Sequence, residues 1–101
     1  FSCFGDKLPK GFLYELESKI SQRIDEKAEG SYTYSLYQKG INKMAQKVGE
    51  EAVELVFEAK DNNDELFKNE AADLLYHYLI LLKAKSFSLT EIEETLLARN
   101  K

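Results

Sequence analysis

From Phe12 onward, apolar positions recur along this chain at spacings of three and four, the period of an amphipathic helix. Leu13, Leu16, Ile20 and Ile24 predict a first helix over Phe12 to Lys27, ended by Glu29-Gly30-Ser31. Ser31 to Lys39 is aromatic-rich and predicts a short helix stopped by Gly40. Ile41 to Lys60 predicts the first of two long helices. Asp61-Asn62-Asn63-Asp64 reads as a turn whose last residues cap the next helix. Glu65 to Lys85 then predicts the second long helix, the most apolar of the set. Ser88 and Glu91 have the spacing of a capping box and open a short final helix. Nowhere does a β-branched alternation of period two suggest a strand, so the expected class is all-α.

At about 100° per residue, the faces of the two long helices can be read directly. On the first, Ile41, Met44, Ala45, Val48, Ala52, Leu55, Val56 and Ala59 form one apolar stripe. Lys43, Lys47, Glu51, Glu54 and Glu58 line one edge of it, while Glu50 falls on the opposite side near Val53 and Phe57. Apolar surface on both sides calls for cover from this chain and from another, which predicts a dimer. The second long helix is apolar nearly all the way round, the pattern of a buried helix, with Glu70, Asp73 and His77 on one line.

Two acid pairs at i,i+3, Glu51/Glu54 and Glu70/Asp73, therefore interrupt apolar segments. Ionised carboxylates are rarely buried unless paired or bound to a cation. Glu51, Glu54 and Glu58 alone also read as a solvated face, with Lys47 and Glu51 as an i,i+4 pair. That reading fails for Glu70 and Asp73, whose helix has no polar face to share. Acid pairs on two antiparallel helices converge on one site, and oxygen-only ligands suit Mg²⁺ or Mn²⁺. A hard cation in a helical protein points toward phosphate chemistry. Lys39, Lys43 and Lys47 recur every four residues toward the acids, as surface lysines or as point charges for a polyphosphate. His77 reads as a satisfied core residue bonded to Asp73, with direct metal ligation as the alternative. Tyr32, Tyr34, Tyr37, Tyr76 and Tyr78 read as core or interface, or as a platform on which a base stacks.

Composition narrows the partners. At 101 residues the chain makes one small domain. A net charge of −4 excludes bulk nucleic-acid binding, which needs a basic face. The single cysteine, Cys3, excludes an internal disulfide and fits a reducing compartment, so a cytoplasmic location is expected. The longest apolar run, Ala71 to Leu82, is broken by Asp73 and His77 and is too short to cross a membrane. Residues 1–11 contain Gly5, Pro9 and Gly11, have no helical period, and read as a linker ahead of a domain over 12–101.

Several strings carry a resemblance: Ser31-Tyr32-Thr33, Lys39-Gly40, Lys47-Val48-Gly49-Glu50-Glu51-Ala52-Val53-Glu54, and Glu70 through Asp73 to Tyr76-His77. Together they closely resemble the phosphoribosyl-ATP pyrophosphatase family. That family belongs to the MazG-like all-α nucleoside-triphosphate pyrophosphohydrolases, whose signature is E-x-x-E followed by E-x-x-D. The likeness runs from about Phe12 to Ala98. It implies a dimeric helical bundle built on two long antiparallel helices, with Glu51, Glu54, Glu70 and Asp73 as ligands for Mg²⁺. It also implies hydrolysis of phosphoribosyl-ATP to phosphoribosyl-AMP and pyrophosphate, early in histidine biosynthesis. Glu50, which completes the family's Glu-Glu pair, and Lys47 are the catalytic candidates; Lys39 and Lys43 are the candidates for holding substrate phosphates. Tyr34 and Tyr37 depart from the smaller aliphatic residues usual there. Phe1-Ser2-Cys3-Phe4 resembles the end of phosphoribosyl-AMP cyclohydrolase, where such a cysteine ligates zinc, and implies a bifunctional protein with that domain first. An incidental cysteine is the plainer alternative. Two rival functions remain: a house-cleaning nucleoside-triphosphate pyrophosphohydrolase, and a non-catalytic dimerisation module.

Overall fold

The computed structural model describes residues 11–100, so the expectations for residues 1–10, Cys3 among them, lie outside the described residues. Five helices follow one another: α1 (Phe12–Asp25), α2 (Tyr32–Gln38), α3 (Ile41–Ala59), α4 (Asp64–Ala84) and α5 (Leu89–Arg99). No strand occurs among the described residues.

Local chemistry sets most of the boundaries. Ser31 caps α2, its Oγ accepting from the Tyr34 N–H at 3.3 Å. Asn63 caps α4 through Oδ1 and the Leu66 N–H at 3.1 Å, and Asp64 and Glu65 place negative charge on the first turn. Ser88 and Glu91 form the expected capping box of α5. A long-range contact joins it: Glu17 Oε2 on α1 accepts from the Leu89 N–H at 2.7 Å.

α1 ends at Asp25, two residues before its sequence pattern does. The Lys27 N–H reaches the Ile24 carbonyl and the Ala28 N–H the Arg23 carbonyl, a Schellman close that puts Lys27 at φ +53°. Ser86 closes α4 in the same way at φ +65°, with Phe87 N–H on the Leu82 carbonyl at 2.9 Å. Glycine is the usual residue at this left-handed position, and a lysine or serine there gives no sequence signal.

α3 and α4 form the hairpin that carries the molecule. Glu51 meets His77, Glu54 stands beside Glu70, and Glu58 shares a hollow with Phe67, so the two helices run antiparallel. α1 and α2 pack on the C-terminal half of α4. The core they enclose is Ile20, Ile24, Leu36, Met44, Leu79, Ile80 and Leu82.

Here the structure corrects the expectation that the second long helix is buried throughout. Its buried residues, His77, Leu79, Ile80 and Leu82, all lie toward its C-terminal end. Residues 64–69 are exposed, and so is Leu75. The α3 stripe is likewise only partly covered: Met44 is buried, whereas Ile41 and Val56 are exposed. Cover runs out because α1 and α2 reach only one end of the hairpin.

Candidate functional site

The α3–α4 pairing decides which acids meet. One carboxylate oxygen each from Glu51, Glu70 and Asp73 lies within 4.8 Å of the other two. Glu51 is buried, Glu70 half-buried and Asp73 exposed, so the cluster opens from the hairpin interior toward solvent. Glu54 projects one turn beyond Glu51 and stands beside Glu70 at the rim, exposed and outside the tight triple.

Glu70 carries the strain of this arrangement. Its pKa is raised, first because a hydrogen bond with Glu54 favours a proton on the pair. Burial and the charges of Glu54, Glu51 and Asp73 push the same way. When both are ionised neither can donate, and Glu70 Oε1 is then enclosed without a hydrogen-bond partner. An orphaned oxygen amid converging carboxylates fits a hard cation, which supplies the positive charge the protein withholds there. The donor set is oxygen alone, with no thiolate or imidazole in the triple.

His77 is buried and satisfied at both ring nitrogens, but its partner on Asp73 is the backbone carbonyl rather than the carboxylate. Nδ1 lies 2.9 Å from the Asp73 carbonyl and 3.0 Å from Glu51 Oε1, and Nε2 lies 2.7 Å from the Tyr32 hydroxyl. It stands behind Glu51 and not among the three converging oxygens. Tyr32 is the functional candidate least visible in the sequence, because its link to His77 spans two helices. Burial raises its pKa most, against the lowering effect of nearby Lys47.

The other candidates divide. Lys47 lies near Tyr32 and is half-buried, with Nζ 3.8 Å from Glu50 Oε1. Glu50 is not brought to the acids. It faces outward, accepts from Gln46 Nε2 at 2.8 Å, and has a lowered pKa because of that bond and then of Lys47 and Lys43. One step of 100° from Glu51 is enough to send it to the other side of α3. Lys43 is half-buried one turn before Lys47; Lys39 is exposed at the end of α2. Tyr37, Tyr76 and Tyr78 pack against the core, whereas Tyr32 and Tyr34 line an open groove of about 810 Å³ with Lys27, Ser31 and Ser35. A second hollow, about 460 Å³, lies between α1 and the start of α5. Its Glu17, Ser88 and Glu91 are already engaged in capping α5. No described helix is long and apolar enough to cross a membrane.

Residues 13–100 match the family described as phosphoribosyl-ATP pyrophosphohydrolase. The chain is 45% identical over 101 residues to a histidine biosynthesis bifunctional protein HisIE of Bacteroides thetaiotaomicron, covering 98% of this chain and 50% of that protein. The HisIE protein of Bacillus subtilis is 44% identical over 107 residues, with 99% and 51% covered. A phosphoribosyl-ATP pyrophosphatase of Listeria welshimeri is 45% identical over 84 residues, which make up 83% of this chain and 81% of that protein. The chain thus spans about half the length of the bifunctional relatives and most of the single-function one.

Proposed function

This chain belongs to the phosphoribosyl-ATP pyrophosphohydrolase family, and we propose that it hydrolyses phosphoribosyl-ATP to phosphoribosyl-AMP and pyrophosphate in histidine biosynthesis. The observation that carries the reading is the convergence of Glu51, Glu70 and Asp73 around the enclosed Glu70 Oε1. These three acids, with Glu54 at the rim, would hold Mg²⁺, or Mn²⁺ in its place. When bound, the ion supplies Lewis acidity toward phosphoryl oxygens and makes a bound water more acidic.

The protein's own groups do the rest. Lys47, and Lys43 one turn before it, offset the charge of the polyphosphate and of the leaving pyrophosphate. Lys39, farther out, serves the approach of an anion. Glu50 acts through Lys47, whose ammonium it holds on the outer edge of α3, and not on the substrate. The Tyr32 groove would take the nucleoside part, with Tyr32 reaching back toward the acids through His77 and Glu51. The outer face of α3, with Val53 and Phe57 exposed, is covered by a second copy in a homodimer. The bifunctional relatives, matched over half their length, support a fusion with a further domain; the likeness of Phe1-Ser2-Cys3-Phe4 makes a preceding phosphoribosyl-AMP cyclohydrolase domain our reading of it, and the lone cysteine a cytoplasmic setting.

A substrate panel tests the assignment. Pyrophosphate release with Mg²⁺ is expected from phosphoribosyl-ATP at a kcat/KM at least tenfold above that for ordinary nucleoside triphosphates. Equal or better turnover of the latter would identify a house-cleaning enzyme, and no release from any of them a non-catalytic module.

A further inference from the structure

We propose that Tyr32 and His77 are positioning residues that fix the Glu51 carboxylate for the acid cluster, an inference that rests on the metal reading above. Nδ1 of His77 faces two acceptors, Glu51 Oε1 at 3.0 Å and the Asp73 carbonyl at 2.9 Å, so it carries the proton. In the neutral ring Nε2 accepts from the Tyr32 hydroxyl, 2.7 Å away, and in the charged ring it donates to the same oxygen, so the contact holds in either form. The ring cannot turn. It sits edge-on between Tyr32 and Tyr76, with centroids 5.7 and 5.8 Å away and planes near perpendicular at 84° and 86°. Tyr76 is itself hydrogen-bonded to the fully buried Thr33 hydroxyl on α2.

The consequence falls on Glu51. With Oε1 held by an immobile imidazole, the carboxylate has one orientation, and no hydrogen bond among the described residues engages Oε2. A lone carboxylate on a helix would otherwise swing toward Lys47 or away from Glu70 and Asp73, whose charges repel it. Tyr32 completes the chain from outside: it is 52% exposed and lines the groove, so the fixing of Glu51 begins at the wall where substrate would lie. Such outer partners of a ligating group commonly change metal affinity or activity by about 10–100-fold.

Mn²⁺ binding to the purified chain, followed by electron paramagnetic resonance of the free ion, reads this without turnover. His77→Leu is expected to weaken binding roughly 10–100-fold. His77→Asn, whose amide keeps a donor where Nδ1 stood, should recover most of that loss. Tyr32→Phe should weaken binding about threefold or more with an unchanged melting temperature, and should have no effect in the His77→Asn background, where its partner is gone. A purely structural pair would lower the melting temperature and leave Mn²⁺ affinity alone, and that result overturns the proposal. Should His77→Leu not fold, Tyr32→Phe decides by itself: wild-type Mn²⁺ affinity refutes it. Glu70→Gln separates the two levels. Lost binding in Glu70→Gln with normal binding in the other variants overturns only the positioning role. No binding by the wild type, or full binding by Glu70→Gln, overturns the metal reading and the positioning role with it.

Discussion

Replacing Phe57 by aspartate places a charge at the centre of the outer face of α3. Phe57 is 63% exposed, and Val53 beside it is more than half exposed. A groove of about 630 Å³ runs along this face between Gln46 and Phe57, past Gly49. A Cβ on Gly49 would meet nothing within 4 Å, so nothing inside this chain requires a glycine in mid-helix. Such a glycine costs about 0.5–1 kcal/mol relative to alanine, which makes sense where a second surface approaches closely. Fully burying a phenylalanine contributes up to about 3 kcal/mol, so covering what remains of Phe57 contributes about 2 kcal/mol. A two-fold interface counts it twice, about 4 kcal/mol, or roughly a thousandfold in dissociation constant. That is a lower bound, because the new carboxylate would also be enclosed near Glu50 and Glu54. Sedimentation equilibrium across the micromolar range should show a dimeric wild type and a monomeric Phe57→Asp. Gly49→Ala should weaken the dimer while raising the helicity of the monomer. A wild type that is monomeric, folded and active at high micromolar concentration refutes the reasoning, as does a Phe57→Asp variant that assembles normally.

The acids should act together: Glu51→Gln, Glu54→Gln, Glu70→Gln and Asp73→Asn are each expected to lower kcat/KM by more than roughly 100-fold, beyond the usual effect of an outer-shell change, with the helical circular dichroism retained. Wild-type rates in any two of them reject the site. The raised pKa of Glu70 makes a second prediction. A carboxyl raised in the folded state loses nothing while protonated in both states, below the ordinary value of 4.5, and destabilises the fold as pH rises through the raised value. In EDTA, Glu70→Gln should therefore melt like the wild type in acid and increasingly above it toward neutrality, and saturating Mg²⁺ should reverse the order. A pH-independent difference contradicts the crowding of charge. Ser86→Gly, at φ +65° and far from the acids, should raise stability by about 0.5–1 kcal/mol, the relieved left-handed strain less glycine's unfolded-state entropy, with turnover unchanged, and a lowered melting temperature would show that the hydroxyl contributes more than the backbone strain costs.

The helices were legible where capping is local. Ser31, Asn63 and Ser88 each announce a start within a few residues, and all three accept the N-cap bond their sequence position implies. The end of α4 fell within one residue of its expected place at Lys85, but the earlier stop of α1 at Asp25 was not legible, because Lys27 holds a left-handed position without glycine. Among the site residues, the i,i+3 spacing put Glu70 and Asp73 on one face, and the 100° step separated Glu50 from Glu51. What sequence lacks is the register of α3 on α4. That register pairs Glu51 with His77 and leaves Glu54 at the rim, and it comes from side-chain packing across the hairpin rather than from any period along one helix.

The same register accounts for the half-covered α4. Its apolar residues encircle the helix, as an interior helix requires, yet α1 and α2 shield only the end from His77 to Leu82. The acids sit where that shielding stops: Glu51 and His77 inside it, Glu70 at its edge, Asp73 and Glu54 beyond. Deeper burial would enclose several carboxylates in a low dielectric with no counter-charge, at a cost that packing could not offset. Full exposure would let water screen them and remove the reason to bind a cation tightly. A hairpin gripped at one end and open at the other places the cluster between those limits. It also leaves Leu66 and Phe67, just beyond the acids, exposed to whatever covers the open end.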